Sequence, residues 1–325
     1  MLKKFLTVLI LTTALSCKKE EEVTVLRLGH NHTESNASHL ALVHFAEEVR
    51  EKSGGRLKIE IFPNGVLGDD RSMTEQTQQG LLHIVRVNSA VLENFNRQYS
   101  VFSMPYLFSS DEQFRRAVES ETMQAIYTGA ASRTGLRGLT YQDTGVRNFY
   151  LKSGPVVRPE DLAGKKVRVL PSRNSIEMMK LMGAVTTPIP YGEVYTALQQ
   201  GVIDGAENNV QALTLDKHGE VVKYYSLNGH LRLPDFIVMN EKTFQKLTPE
   251  QQIIITEAAK NSTAFHNALW STNLAESRRK AEDEMGVKFN EVEQELFKER
   301  TAVMYEQLRL NNPELYAIAA EFQQY

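Results

Sequence analysis

GEVYTALQQGVIDGAENN, Gly192 to Asn209, is the stretch that decides the fold. Its first half is a helix-forming run, and Gly201 marks where that helix stops. The second half reads as a strand over Val202 to Ala206. It delivers Glu207, Asn208 and Asn209 at its carboxyl end. Gly205 lets the backbone come close to a neighbour. A helix, a tight turn and a strand ending in an acid and two amides is the returning half of an α/β unit. In open α/β sheets, ligands bind beyond such carboxyl ends.

The same grammar holds on both sides. Upstream, GKKVRVLPS is a strand centred on Val167 to Val169, SIEMMKLMG is a helix ended by Gly183, and Ile189 lies in a short extended piece. Near the start, VTVLRLGHN (Val23 to Asn31) is a strand ending in a polar turn. Ala37, Leu40, Val43, Ala46 and Val49 then recur every three residues as one apolar helical face, which SGG at Ser53 to Gly55 ends. RLKIEIF alternates as a strand should, so strand, helix and strand make a βαβ unit. PNGVLGDD is a turn into a helix reaching about Gly80, and LLHIVRVNS is a strand ending at Asn88 and Ser89. MPYLF reads as packing. A helix is expected from Asp111 to about Ala131, and TGLRGLTYQDTGVRNFY holds two strands around a polar turn. VVKYYSL and PDFIVMN are later extended segments.

The last third is helical. Thr248, Pro249 and Gln251 combine a cap, a first-turn proline and a capping-box partner. The apolar spacing of Ile254, Ala258, Phe265 and Leu269 carries the helix toward Gly286, in one or two pieces. A single piece would be about 55 Å long and could brace two domains. There is no short repeat and no low-complexity linker, so structured segments must make any domain crossings.

The 325 residues suit about two domains. With 42% hydrophobic and 24% charged residues the chain is expected to fold, and a net charge of -3 speaks against a nucleic-acid partner. MLKK followed by FLTVLILTTAL has the plan of a secretory signal, too short for a mature spanning helix. The only cysteine, Cys17, sits where that apolar run ends and cannot form an internal disulfide. The arrangement resembles a bacterial lipoprotein signal, with Cys17 as the lipidated first mature residue. Ala14 stands where such signals usually have leucine. Plain secretion with cleavage nearby is the second reading, and both of these export the protein; a buried or incidental Cys17 is the third.

Several polar residues fall at strand ends: Asn31, Asn88, Arg147, Arg168 and Asn208. Arginine offers a planar fork to a carboxylate, and an amide both donates to and accepts from hydroxyls. The set suits recognition more than reaction. Each residue also has a plainer reading. Arg147 could pair with Asp143 or cap a strand, Arg168 could face solvent in KKVRVL, and the asparagines could mark turns. Tyr191 is either a core ring or a platform for the carbon face of a ligand ring. Glu34 and Asp70 could accept from ligand hydroxyls or cap helices.

Metal chemistry has little support. His30, His32, His39 and His44 are near in sequence but lack a metal-binding motif. No phosphate loop, dinucleotide motif or nucleophile elbow occurs, and no cofactor is implied. Asp204 and Glu207 fall on opposite faces of a strand, which weakens an acid–base pair.

Four blocks, in order, carry a family resemblance: FAEEVREKSGGRLKIEIFPNGVLGDDR, MPYLF, GVRNFY with DLAGKKVRVLPS, and GEVYTALQQGVIDGAENN. The chain resembles the DctP-type solute receptors of tripartite ATP-independent (TRAP) transporters, and its NN ending with GVRNFY is most similar to the sugar-acid branch. The resemblance implies an α/β, two-lobe periplasmic-binding-protein-like fold with a hinge cleft and long C-terminal helices bracing both lobes. Residues 1–17 would be the signal, 23–146 mainly lobe 1, 147–235 mainly lobe 2, and 236–325 shared helices and returning segments. It implies that Arg168 binds a substrate carboxylate with Arg147 assisting. Asn208, Asn88, Asn31 and Tyr191 would complete the site, Asp70 is a looser match, and Glu34 is added from its place in the first lobe's turn. The implied ligand is a hexuronate such as glucuronate or galacturonate; a C4-dicarboxylate, 2-oxo acid or sialic acid is the alternative, and a sugar-acid lyase or dehydratase a remote one. The expected partners are the small and large membrane subunits of a TRAP permease. A periplasmic monomer, held at the membrane by lipid on Cys17 and without catalysis, completes the expectation.

Overall fold

The computed structural model describes residues 23–325; the signal and Cys17 lie outside them. Strands β1 (Thr24–Gly29), β2 (Leu57–Phe62) and β3 (Ile84–Asn88) form the expected parallel unit, ordered β2-β1-β3. The helix Ala37–Lys52 covers it, but its buried face is Ala37, Ser38, Ala41, Leu42, Phe45 and Val49, while Leu40 is exposed. A strict three-residue step drifts off the face of a 3.6-residue helix, and the i, i+4 set is the one that meets the sheet. Asn36 caps this helix by accepting from Ser38 N at 2.9 Å.

The next helical stretch is interrupted. Helices run over Asp111–Glu119 and Glu121–Gly129, parted by Ser120, whose hydroxyl accepts from Met123 N at 3.1 Å. A serine that caps the following helix ends the preceding one.

The two strands of TGLRGLTYQDTGVRNFY both form, as β4 (Leu136–Gln142) and β5 (Val146–Leu151), yet they do not pair with each other. β4 closes the first sheet, and β5 lies inside a second. The second sheet has β6 (Lys166–Val169), β7 (Val185–Pro188), β8 (Gly205–Asn208), β9 (Tyr224–Arg232) and β11 (Lys288–Asn290), in the order β11-β9-β5-β8-β6-β7. The remaining strand, β10 (Asp235–Asn240), returns to the first sheet. It pairs antiparallel between β3 and β4, giving β2-β1-β3-β10-β4. β8 starts later than the sequence suggests. Val202 N still donates to Ala197 O at 2.9 Å, finishing the helix behind the left-handed Gly201, so pairing begins only at Gly205. A Cβ on Gly205 would lie 2.3 Å from the Tyr150 carbonyl oxygen, so this close approach requires glycine.

Each sheet with its helices is a lobe. The chain passes between lobes at 142–146 and again at 232–235. Thr144 Oγ1 donates to Leu233 O at 2.8 Å, tying the two crossings together. Gly145, at φ +71, sits against Trp270, where a Cβ would be 3.2 Å from the indole nitrogen. Trp270 belongs to the helix Pro249–Asp283, which is continuous over 35 residues, about 52 Å, and starts with the expected capping box. That helix packs on Ala37–Lys52 and β4 in one lobe and on Gln211–Thr214 in the other. The helix Gln294–Asn311 leans on Arg173–Leu181, and Pro313–Phe322 returns to Asp111–Glu119, so the C-terminal helices brace both lobes. Among the described residues no helix is long and apolar enough to cross a membrane.

Candidate functional site

A cavity of about 310 Å³ lies between the lobes, beyond the carboxyl ends of β1, β3, β6 and β8. That is where a parallel sheet presents unpaired backbone and the residues that follow each strand. Of the expected site residues, Asn31, Asp70, Asn88, Arg147, Arg168, Tyr191 and Asn208 line it. Glu34 does not. It is exposed and accepts from Asn64 Nδ2 at 3.4 Å.

Arg168 is the central group. It is 2% exposed, so the solvent-facing reading fails. Alternation along β6 sends Val167 and Val169 into apolar packing and Arg168 the other way. Its Nε and Nη2 donate to one acceptor, the Ile189 carbonyl, at 3.0 and 2.8 Å. A guanidinium has five N–H groups, so three remain, and no carboxylate among the described residues pairs with them. Burial pushes its pKa down, Glu207 pulls it up, and Arg147 pushes it down again. A buried cation without a counterion is costly, and an anionic ligand would relieve that cost. The guanidinium carbon stands 5.7 Å from the centre of the Tyr191 ring.

Arg147 is different. Asp143, the partner open to it in sequence, pairs with Arg232 instead. Arg147 takes Glu207: Nε donates to Oε2 at 2.6 Å, and Nη2 to Oε1 at 3.0 Å and to the backbone oxygen at 2.7 Å. Nη1 donates to Asn208 Oδ1 at 2.7 Å, leaving one N–H free. The antiparallel register Asn148↔Asn208 and Phe149↔Glu207 brings these groups together. Burial would raise the Glu207 carboxyl, but Arg147 and the His230 contact outweigh it and hold it at about 2. Asn208 Oδ1 also accepts from Asn209 N at 2.9 Å, so its amide faces the cavity as a donor.

The first lobe contributes a matching network that sequence reasoning missed. Arg86 ion-pairs with Asp235, and its Nη1 donates to Asn31 Oδ1 at 3.3 Å. Asn88 Nδ2 donates to Asp235 Oδ1 at 2.8 Å, while Asn88 Oδ1 accepts from Ala90 N at 3.0 Å, so Asn88 serves as turn and site at once. Arg86 was findable: it stands two residues before Asn88 and shares its strand face. Asp235 was not, because the β3–β10 register Asn88↔Asp235 places it there.

Two more carboxylates line the cavity. Asp70, in the first turn of the helix Asp70–Gln79, has an Oδ1 that is buried without a partner. Burial lifts it to about 7, against the pull of Arg86. Asp216 accepts from the Tyr191 hydroxyl, and burial lifts it to about 6. Across the gap, the His32 ring of the first lobe meets the Tyr191 ring of the second edge-on, 5.9 Å between centres. Neighbouring His30 Nε2 lies 3.0 Å from His39 Nδ1, and among the described residues no cluster of three or more metal-ligating side chains forms.

The family model described as bacterial extracellular solute-binding protein, family 7 (DctP) matches residues 28–311. The chain belongs to the DctP family of TRAP solute-binding proteins. The protein YiiZ of Salmonella typhimurium is 40% identical over 302 residues, 92% of this chain and 91% of YiiZ. A TRAP periplasmic solute-binding protein of Anaerococcus prevotii, crystallised with bound α/β-D-glucuronate, superposes with a TM-score of 0.90 at 36% identity, covering 93% of this chain and 98% of that one. One from Sulfitobacter sp. NAS-14.1, with bound β-D-galacturonate, gives 0.89 at 35% identity, covering 93% and 100%. TRAP solute-binding proteins are extracytoplasmic receptors that take small organic acids and work with membrane permease subunits, and the two-lobed α/β fold of this DctP protein is the fold of that family.

Proposed function

We propose that this receptor captures a hexuronate, D-glucuronate or D-galacturonate, and hands it to the small and large subunits of a TRAP permease. The supporting observation is the buried Arg168, with three unpaired N–H groups at a cavity of about 310 Å³ between the lobes. That volume sits at the small end of ligand pockets and suits one monosaccharide acid. The ligand carboxylate takes the free edge of Arg168, with the spare N–H of Arg147 beside it. The donor amides of Asn31, Asn88 and Asn208 and the acceptor oxygens of Asp70 and Asp216 read the ring hydroxyls, and the Tyr191 ring covers the carbon face. The two proteins of like fold crystallised with glucuronate and galacturonate support this choice.

The lobes, mainly residues 23–146 and 147–235, close by bending at the two crossings while the shared helices of 236–325 hold them. Closure excludes water and strengthens the charge-assisted bonds. The ligand leaves unchanged, since Asp70 and Asp216 serve to hold its hydroxyls. The receptor works in the periplasm as a monomer tethered by lipid on Cys17.

A thermal-shift screen of sugar acids, followed by calorimetry and by NMR of the recovered ligand, tests this. Glucuronate or galacturonate should stabilise the protein in proportion to occupancy and come back intact. Stabilisation by a C4-dicarboxylate or sialic acid and not by a hexuronate would replace the assignment, and a changed product would reveal an enzyme.

A further inference from the structure

The charges around the cavity are unequally satisfied. Arg71 pairs with Glu75 at 3.0 Å, Arg86 with Asp235, and Arg147 with Glu207 at 2.6 Å. Of the lining cations only Arg168 is left without a carboxylate. Among the lining acids, four remain outside any ion pair: Asp69 and Glu193 at the rim, and Asp70 and Asp216 deeper. Asp69 is occupied as a helix cap, accepting from Ser72 N at 2.7 Å. Asp70 and Asp216 come from opposite lobes, and each can accept from a hydroxyl.

We propose that Asp70 and Asp216 are specificity-determining residues that restrict the site to sugar monocarboxylates and exclude the matching dicarboxylates, the aldaric acids. This rests on the hexuronate reading and deepens it. One carboxylate fits the one uncompensated cation. A second carboxylate, placed where a uronate carries a ring hydroxyl or its anomeric centre, has no free cation to meet. It meets carboxylate oxygens that need a donor, and a carboxylate donates nothing. Discrimination of this kind works by repulsion and by unpaired acceptors rather than by added attraction.

The contrast depends on the charge of the two acids. Asp70 is faced by Arg86, Asp235, Asp69 and Arg168, and Asp216 by the Tyr191 hydroxyl and Arg86. Burial puts their titration at about 7 and about 6. The discrimination should therefore sharpen as pH rises toward about 8 and soften toward about 5, where both acids are protonated and can donate.

Calorimetry with three six-carbon acids tests the idea: D-glucuronate, D-gluconate and D-glucarate. At about pH 8, glucarate should bind about a hundredfold or more weaker than glucuronate. Asp216→Asn and Asp70→Asn should each narrow that ratio about tenfold or more, with circular dichroism and melting confirming the fold. Asn keeps an acceptor oxygen and adds a donor, so weaker glucuronate binding by a variant does not spoil the ratio. Glucarate binding as tightly as glucuronate to the wild type, or a ratio unmoved in both variants, would overturn the inference while leaving the receptor reading intact. If gluconate binds and neither glucuronate nor galacturonate does, the hexuronate assignment falls, and the gluconate-to-glucarate ratio decides the charge rule. Binding of none of the three, nor of D-galacturonate or D-galactarate titrated in the same way, overturns both.

Discussion

Replacing Arg168 with methionine should damage binding and stabilise the empty protein. Both signs follow from the same side chain. Two of its N–H groups bond to the Ile189 carbonyl, and losing those bonds costs about 1–2 kcal/mol. Against that stands the burial of a guanidinium, 2% exposed, that has no carboxylate partner; the effective penalty for such an ion is several kcal/mol. The second effect is the larger, so Arg168→Met should melt higher than the wild type without ligand. With ligand the order reverses. Truncating one partner of a buried, hydrogen-bonded charge pair costs about 2–5 kcal/mol, roughly thirtyfold to several-thousandfold in Kd. Arg168→Lys should recover little affinity, because an ammonium lacks the planar fork. Differential scanning calorimetry of the empty proteins, paired with isothermal titration, reads both quantities. A Met variant that binds a hexuronate at wild-type strength refutes the anchor role. One that melts well below the wild type when empty refutes the claim that the cation is held at a cost.

Three further outcomes are expected. Glu207→Gln removes the counterion of Arg147 and leaves two buried cations unpaired; the empty protein should lose about 3–5 kcal/mol, and the ligand-induced rise in Tm should grow. The buried histidines should make stability fall as the medium is acidified below about pH 6.5, and Asp70 and Asp216, lifted to about 7 and about 6, should offset part of that fall. Burial lowers His30 to about 3, His218 to about 3 and His266 to about 4, so the unfolded chain binds more protons in that window; each contributes at most about 1.4 kcal/mol per pH unit, measurable by urea melts across pH. Cys17→Ala should move the protein from the membrane fraction, or block its maturation, and an unchanged membrane-bound product would rule out the lipid.

Much of the fold was legible because the decisive signals are local. The alternation of RLKIEIF and the Thr248 capping box each act within a few residues, and each formed as read. The polar residues at strand ends were legible for the same reason: Arg168, Asn88 and Asn208 are placed by their own strands. What failed was set at a distance. Nothing within TGLRGLTYQDTGVRNFY says that β4 and β5 belong to different sheets; the pairing of β10 with β4 and of β8 with β5 decides it. Asp235 reaches the site only through that same returning strand. Asp216 follows a four-residue helix in an aperiodic segment, where no spacing predicts a direction. Glu34 is near Asn31 in sequence, but its exposed carboxylate accepts from Asn64 and does not line the cavity.

The most direct measurement is a crystal structure of the protein with glucuronate or galacturonate bound. The expected result is the ligand carboxylate on the Nη1 and Nη2 edge of Arg168, within hydrogen-bond distance, with Tyr191 over the sugar ring and both lobes in contact with it. A carboxylate held elsewhere, with Arg168 still unpaired, would contradict the account.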